Sequence, residues 1–242
     1  GPDAELMVVY TSGTTGRPKG AVLAQAAMRA NAEMSHHAYA MTPDDHVLNI
    51  LPLFHVGGLN IQPLPALLAG AGVVIHDGFD PAAVLSAIRA EGITQITVVP
   101  TILGALLAAP EWTEADLSSL RMMAIGSTDV PVALIEAVHA RGIPVVQVYG
   151  ATETSPTAIY QTADIAAATV GSIGKAGKGC DIRITGDDGA ELPVGEVGEI
   201  RVRGDNILTR YWNNEAASAE SIAGGWFRTG DMARVDAAGL YW

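Results

Sequence analysis

Between residues 6 and 149, short β-branched apolar runs alternate with Ala- and Leu-rich stretches of helical length. The runs at 6–10, 46–51, 72–76, 94–99, 121–125 and 145–148 read as strands, and 25–41, 59–69, 81–89, 100–109 and 131–141 as helices. Asp80-Pro81 supplies an N-cap and a first-turn proline, Pro100 opens the next helix, and Thr42-Pro43 stops the first. The run at 6–10 reads as a buried strand, with 20–24 as its return strand. This alternation selects a mostly parallel sheet covered by helices on both faces. Such sheets bind ligands in loops beyond the carboxyl ends of their strands. The loops 11–19, 52–58, 126–129 and 149–156 all follow strands and are expected to converge on one edge. Past residue 159 the texture changes to many glycines and short alternating runs, 181–184 and 199–203, with the hairpin signal Asp187-Asp188-Gly189 between them. The expected fold is α/β: a mostly parallel sheet layered with helices over 1–160, followed by a smaller antiparallel β-rich subdomain over 161–242.

Composition narrows the ligand classes. Of 242 residues, 49% are apolar and 17% charged, enough for a substantial core. The net charge of −12 argues against a nucleic-acid or anionic-membrane surface, so an anionic ligand must be held by local loops. The lone cysteine, Cys180, excludes an internal disulfide and points to a reducing, cytoplasmic location. It precedes an alternating strand and reads as a packing residue, not a nucleophile. The apolar stretch 64–75 is short and broken by Pro65, Gly70 and Gly72, so no transmembrane segment is expected. His36 and His37, adjacent at a helix end, diverge and read as surface residues, not a metal pair.

After the first strand comes Tyr10-Thr11-Ser12-Gly13-Thr14-Thr15-Gly16-Arg17-Pro18-Lys19-Gly20. Glycines let backbone approach a ligand, successive N–H groups form an anion nest, hydroxyls add donors, and Lys19 adds a mobile cation. Those features suit a polyphosphate, although composition alone leaves a plain surface loop equally open. The spacing fails the mononucleotide P-loop pattern, because Gly16 is followed by Arg17-Pro18-Lys19.

The order Tyr-Thr-Ser-Gly-Thr-Thr-Gly-x-Pro-Lys-Gly resembles the AMP-forming adenylating enzymes, which include acyl-CoA synthetases, 4-coumarate:CoA ligases, firefly luciferase and peptide-synthetase adenylation domains. Three further motifs follow in that family's order: Gly126-Ser127-Thr128, Tyr149-Gly150-Ala151-Thr152-Glu153, and Gly225-Trp226-Phe227-Arg228-Thr229-Gly230-Asp231. The resemblance implies that Thr11, Ser12, Gly13, Thr14, Thr15, Gly16 and Lys19 grip the phosphates of ATP. It implies that Tyr149, Gly150, Ala151, Gly126 and Ser127 border adenine, that Thr152 sits near the α-phosphate, and that Asp231 binds the ribose hydroxyls. Lys19, Thr152 and Glu153 are its implied catalytic residues, with Glu153 on Mg²⁺. Thr128 stands where relatives commonly carry alanine. A carboxylate in a strand-end loop is well placed for Mg²⁺, yet without the resemblance Glu153 reads as a solvated surface acid. His55, in Pro52-Leu53-Phe54-His55-Val56-Gly57-Gly58, reads by itself as a packing histidine. With the resemblance, His55, Gly57 and Gly126 line the acid's pocket. Amino-acid-activating relatives carry Phe-Asp where this chain has Phe54-His55, which points to a plain carboxylic acid.

The implied activity is an acyl-CoA synthetase: a carboxylic acid, expected to be a fatty acid, reacts with ATP to acyl-AMP and pyrophosphate, then with CoA. Alternatives are an aryl-CoA ligase, an acyl-AMP ligase, or a nucleotide-binding fragment without turnover. Full members are about twice this length. The chain is therefore expected to be a central fragment, lacking an N-terminal portion and a mobile C-terminal domain, with self-association through surfaces those parts would cover.

Overall fold

The computed structural model describes residues 1–11 and 18–242. Strand β1, Glu5–Thr11, and β2, Lys19–Ala24, form an antiparallel hairpin whose register pairs Thr11 with Lys19. This hairpin does not join the parallel sheet, which corrects the expectation that the alternation starts at residue 6. Nor is β1 buried: Leu6, Val8 and Tyr10 on one of its faces are exposed, because only the opposite face packs inward. Helix α1, Gln25–Tyr39, follows and ends on Ala40 in the left-handed region at φ 44°, before Pro43 is reached.

The central sheet begins with β3, His46–Asn49. Two short helices replace the single one expected at 59–69: α2, Val56–Asn60, and α3, Pro63–Ala69. Pro63 and Pro65 lack the N–H groups that would extend α2, so the chain restarts a helix with proline in its first turn. Then come β4, Gly72–Ile75; α4, Pro81–Ala90; β5, Gln95–Val98; α5, Pro100–Ala108; β6, Met122–Gly126; α6, Val132–His139; and β7, Val145–Tyr149. The Asp80 carboxylate caps α4, accepting the Ala83 N–H at 2.8 Å. The order β4-β3-β5-β6-β7 is parallel throughout. Two short antiparallel strands, β8, Ile159–Tyr160, and β9, Lys175–Ala176, extend its far edge, on either side of the small helix α7, Ala163–Ala166.

Side-chain alternation splits this sheet between two cores. Ile96, Val98, Met123, Ile125 and Val145 pack with α4, α5 and α6. Met122, Ala124, Val146 and Val148 pack with Met34, Ala38 and Tyr39 of α1. Both histidines of α1 are tied down: His36 Nε2 lies 2.7 Å from the Pro65 carbonyl oxygen, and His37 Nδ1 lies 2.8 Å from the Tyr160 hydroxyl.

The remaining chain adds β10, Cys180–Thr185; β11, Gly198–Gly204; β12, Arg210–Tyr211; α8, Glu215–Ser221; β13, Ile222–Ala223; and β14, Trp226–Ala233. Four of these strands form an antiparallel sheet, β10-β11-β14-β13, as the alternation past residue 159 predicts. The turn at 187–189 closes on a bridge between Thr185 and Glu191, and β11 begins only at Gly198. Strand β12 leaves this sheet and pairs with β2. Cys180 packs against Met34 and Asn206; burial pushes its thiol up to about 12, which suits a packing residue. No helix among the described residues is long and apolar enough to cross a membrane.

Candidate functional site

The carboxyl ends of β3, β5, β6 and β7 open onto one cavity of about 510 Å³. Its walls come from residues 51–58, 97–102, 126–127 and 148–156, so three of the four loops expected to converge share one space. Two glycines let the strand ends close up. A Cβ on Gly126 would meet the Val148 carbonyl oxygen, and one on Gly150 the Pro156 carbonyl oxygen. Ser127 is held at φ 85°, a left-handed conformation that a residue with a Cβ seldom adopts. Thr128 is exposed and is not among the cavity's lining residues.

Most of the walls are apolar, with Leu51, Val56, Ile61, Val98, Ile102 and Val148 among them. His55 sits at the rim as the cap of α2, its Nδ1 accepting the Gly57 N–H at 3.0 Å. It is exposed, not packed in the core, so the packing role read from its neighbours gives way to a rim position. Thr97 is the feature that sequence reading missed. It is 6% exposed, lines the cavity, and its hydroxyl has no hydrogen-bond partner among the described residues. The available signal was its place one polar step from Gln95 in an otherwise apolar strand, but the same pattern marks ordinary core threonines.

Beyond the cavity, the loop after β7 turns through Thr152, Glu153 and Thr154. Glu153 is only 9% exposed, not the solvated acid that its sequence neighbours suggest. The Tyr211 hydroxyl donates to Glu153 Oε1 at 2.7 Å. Lys19 extends its Nζ over the Tyr211 ring, 5.3 Å from the centroid and within cation–π range. Lys19 and Glu153, one expected on the phosphates and the other on the metal, are thus joined by a tyrosine that no motif singled out. Tyr211 escaped notice because its partner lies 58 residues away and β12 is two residues long, too short to leave a periodic signal. Ser12, Gly13, Thr14, Thr15 and Gly16 lie outside the described residues; Thr11 and Lys19 on either side of them are paired across the hairpin.

Asp231 reaches the site through a bulge. Opposite β11, Glu199 pairs with Met232 and Arg201 with Arg228, so three residues of β14 face one of its neighbour. Gly230, at φ 77°, permits the kink. The exposed Asp231 carboxylate then accepts the Tyr149 hydroxyl at 2.7 Å through Oδ2. Burial, and beyond it the Asp231 charge, push the Tyr149 phenol up against a lowering contact from Thr229, so it stays a donor. Phe227 and Trp226 are buried, as expected of packing residues; Trp226 lies between the guanidinium groups of Arg183 and Arg203.

Among the described residues no three His, Cys, Asp or Glu side chains cluster to make a protein-only metal cage. One buried carboxylate, Glu153, that shares Tyr211 with the Lys19 ammonium fits Mg²⁺ instead, which takes one or two carboxylates and completes its shell with phosphates and water.

Comparison with known proteins gives this geometry its kin. Residues 1–212 match the family described as AMP-binding enzyme. Indoleacetate–CoA ligase of Aromatoleum aromaticum is 51% identical over 242 residues, covering all of this chain and 48% of that protein. Feruloyl-CoA synthase of an Amycolatopsis species is 40% identical over 241 residues, 100% of this chain and 49% of that protein. The o-succinylbenzoate CoA synthetase (MenE) of Bacillus subtilis in complex with AMP superposes with a TM-score of 0.92 at 35% identity, over 100% of this chain and 49% of its own. The same synthetase in complex with ATP and magnesium ion gives 0.89, at 34% identity and 50% of its length. The chain spans about half the length of the relatives it matches. With the family matched across most of the chain and the fold shared with its solved members, the chain belongs to the AMP-binding enzyme family.

Proposed function

We propose that this chain carries the nucleotide- and acid-binding part of a CoA ligase for an aryl carboxylic acid whose ring bears a polar substituent. The observation that carries this reading is the buried Thr97 hydroxyl, which has no hydrogen-bond partner among the described residues, in a mostly apolar cavity whose lining also holds the hydroxyls of Thr101, Ser127 and Thr152. A straight aliphatic tail would leave that buried hydroxyl unpaired, at a cost of about 1–3 kcal/mol. A ring N–H or O–H would satisfy it. The named substrates of the relatives, indoleacetate and ferulate, have this character, which favours the aryl reading over a fatty acid.

The reaction runs in two halves. A carboxylate oxygen attacks the α-phosphorus of ATP; the bond to the bridging oxygen breaks, releasing pyrophosphate and leaving acyl-AMP. The CoA thiol then gives up its proton, its sulfur attacks the acyl carbon, and AMP leaves. The protein's part is positioning and charge neutralisation. Lys19 binds the polyphosphate, Glu153 holds Mg²⁺, Thr152 faces the α-phosphate, and Asp231 accepts from the ribose hydroxyls. Mg²⁺ neutralises the phosphate charge. His55 and Gly57 border the acid's carboxylate.

Acid-dependent exchange of labelled pyrophosphate into ATP tests the reading in the protein that carries this chain. Indoleacetate or ferulate is expected to stimulate exchange, and octanoate to do so at least tenfold less. Thr97→Val is expected to lower kcat/KM for the hydroxylated acid about tenfold and leave the unsubstituted aryl acid within twofold. Equal use of octanoate, or equal loss for both aryl acids, would remove the case for a polar-ring substrate.

A further inference from the structure

We propose that Tyr211 is the positioning residue for Glu153: its hydroxyl occupies one carboxylate oxygen so that the other faces the magnesium and polyphosphate, while its ring face seats the Lys19 ammonium between turnovers. The inference rests on the nucleotide-binding reading above. Tyr211 is 5% exposed and belongs to β12, whose register sets it against Ala21, two residues after Lys19. The same segment is fastened to the Glu153 turn from the other side, the Leu208 N–H donating to the Glu153 carbonyl at 2.8 Å. One two-residue strand therefore ties together the lysine at the start of β2 and the carboxylate in the turn after β7, which stand far apart in sequence. An O–H donor at 2.7 Å from an ionised carboxylate makes a charge-assisted bond, strong enough to select one rotamer of a side chain with three free torsions.

A role in packing alone would need the ring but not the hydroxyl. Tyr211 does pack, with Leu23, Leu208 and Phe227. The hydroxyl is spent on Glu153.

The test is calorimetric titration of this chain with ATP over a series of Mg²⁺ concentrations, with Mg²⁺-free AMP binding as a parallel readout. Tyr211→Phe keeps the ring and removes only the donor. The Mg²⁺ concentration giving half-maximal ATP binding is expected to rise roughly tenfold, the scale of losing a carboxylate's outer partner, with AMP affinity within twofold. Glu153→Gln alone is expected to raise the same midpoint, and Tyr211→Phe added to it to raise it no further. An unmoved midpoint in Tyr211→Phe, an equal fall in AMP affinity, or additive effects in the double variant would each overturn the assignment. An unaltered chain that binds no Mg²⁺-dependent ATP would overturn both this inference and the nucleotide-binding reading; binding by the unaltered chain with an unmoved variant would overturn this inference alone.

Discussion

Gly150 and Gly104 show how differently one residue type is constrained by its surroundings. Gly150 follows β7, and a Cβ there would run into the Pro156 carbonyl oxygen, with Thr154 Oγ1 2.7 Å away. Neither neighbour is a flexible side-chain end, because Thr154 Oγ1 is itself bonded to the Ala151 N–H and carbonyl. Gly150→Ala is expected to destabilise the chain by about 1–3 kcal/mol through overpacking. Gly104 lies within α5 with nothing within 4 Å of a built Cβ. Gly104→Ala is expected to stabilise by about 0.5–1 kcal/mol, the helix-interior difference between the two residues. Urea unfolding of the two variants beside the parent checks both; the same sign for both would mean that local room does not decide. At this scale the motif residues were legible because each motif is contiguous, and a turn or nest is built from neighbours in sequence. Tyr211 and Thr97 were not, because what distinguishes them is a partner, or a missing partner, brought by other strands.

The ends of the strands divide the labour of the parallel sheet. The carboxyl ends carry the cavity; the amino ends are tied by Asp45. Just before β3, its carboxylate accepts from Thr42 N–H at 2.8 Å, from Thr94 Oγ1 at 2.6 Å ahead of β5, and from Arg121 ahead of β6 at 2.7 and 2.8 Å. Burial alone would raise this carboxyl, but the hydrogen bonds from Thr94, Arg121 and Thr42 outweigh it and hold it below the ordinary Asp value. A depressed folded-state value means that the stabilisation is fully present above the unfolded value and is lost as pH falls through the folded one. Acid unfolding of the parent should therefore steepen below the ordinary Asp range. Asp45→Asn is expected to lose that slope and to be weaker at pH 7 by about 2 kcal/mol, less than a fully buried pair because Arg121 is 42% exposed. Stability against pH, followed by denaturant midpoints for both chains, checks this; parallel curves would exclude Asp45 as the titrating group. Helix starts such as Asp80-Pro81 were readable because the cap and the proline act within one turn. The return strand 20–24 was readable too, but the exposure of β1 and its separation from the parallel sheet were not, since both depend on what lies across the sheet; the break between α2 and α3 lay in Pro63 and Pro65.

Among the described residues the chain forms three sheets, and two strand pairings cross the point where its texture changes. Strand β12 pairs with β2, so the sheet of the β1–β2 hairpin is completed by residues 210–211. Strand β9 adds to the far edge of the parallel sheet through β8. A cluster of Leu23 and Met28 with Leu208, Tyr211 and Phe227 fills the space between the hairpin and the later segment. We propose on these grounds that the regions 1–160 and 161–242, distinct in sequence pattern, unfold as one cooperative unit. Neither buries its share of this cluster without the other, and the Glu153–Tyr211 bond would break at the same moment. Unfolding followed in parallel by far-ultraviolet circular dichroism, which reports chiefly the helices before residue 140, and by tryptophan fluorescence should give coincident midpoints. Trp212, Trp226 and Trp242 lie in the later region and Trp112 in the earlier, so Trp112→Phe makes the fluorescence specific to 161–242. Coincidence in that variant would mean that the site is assembled only when the whole chain folds. Separate midpoints would mean that the cluster and β12 do not couple the two regions, and that the Lys19 side of the site can persist while the Asp231 side is unfolded.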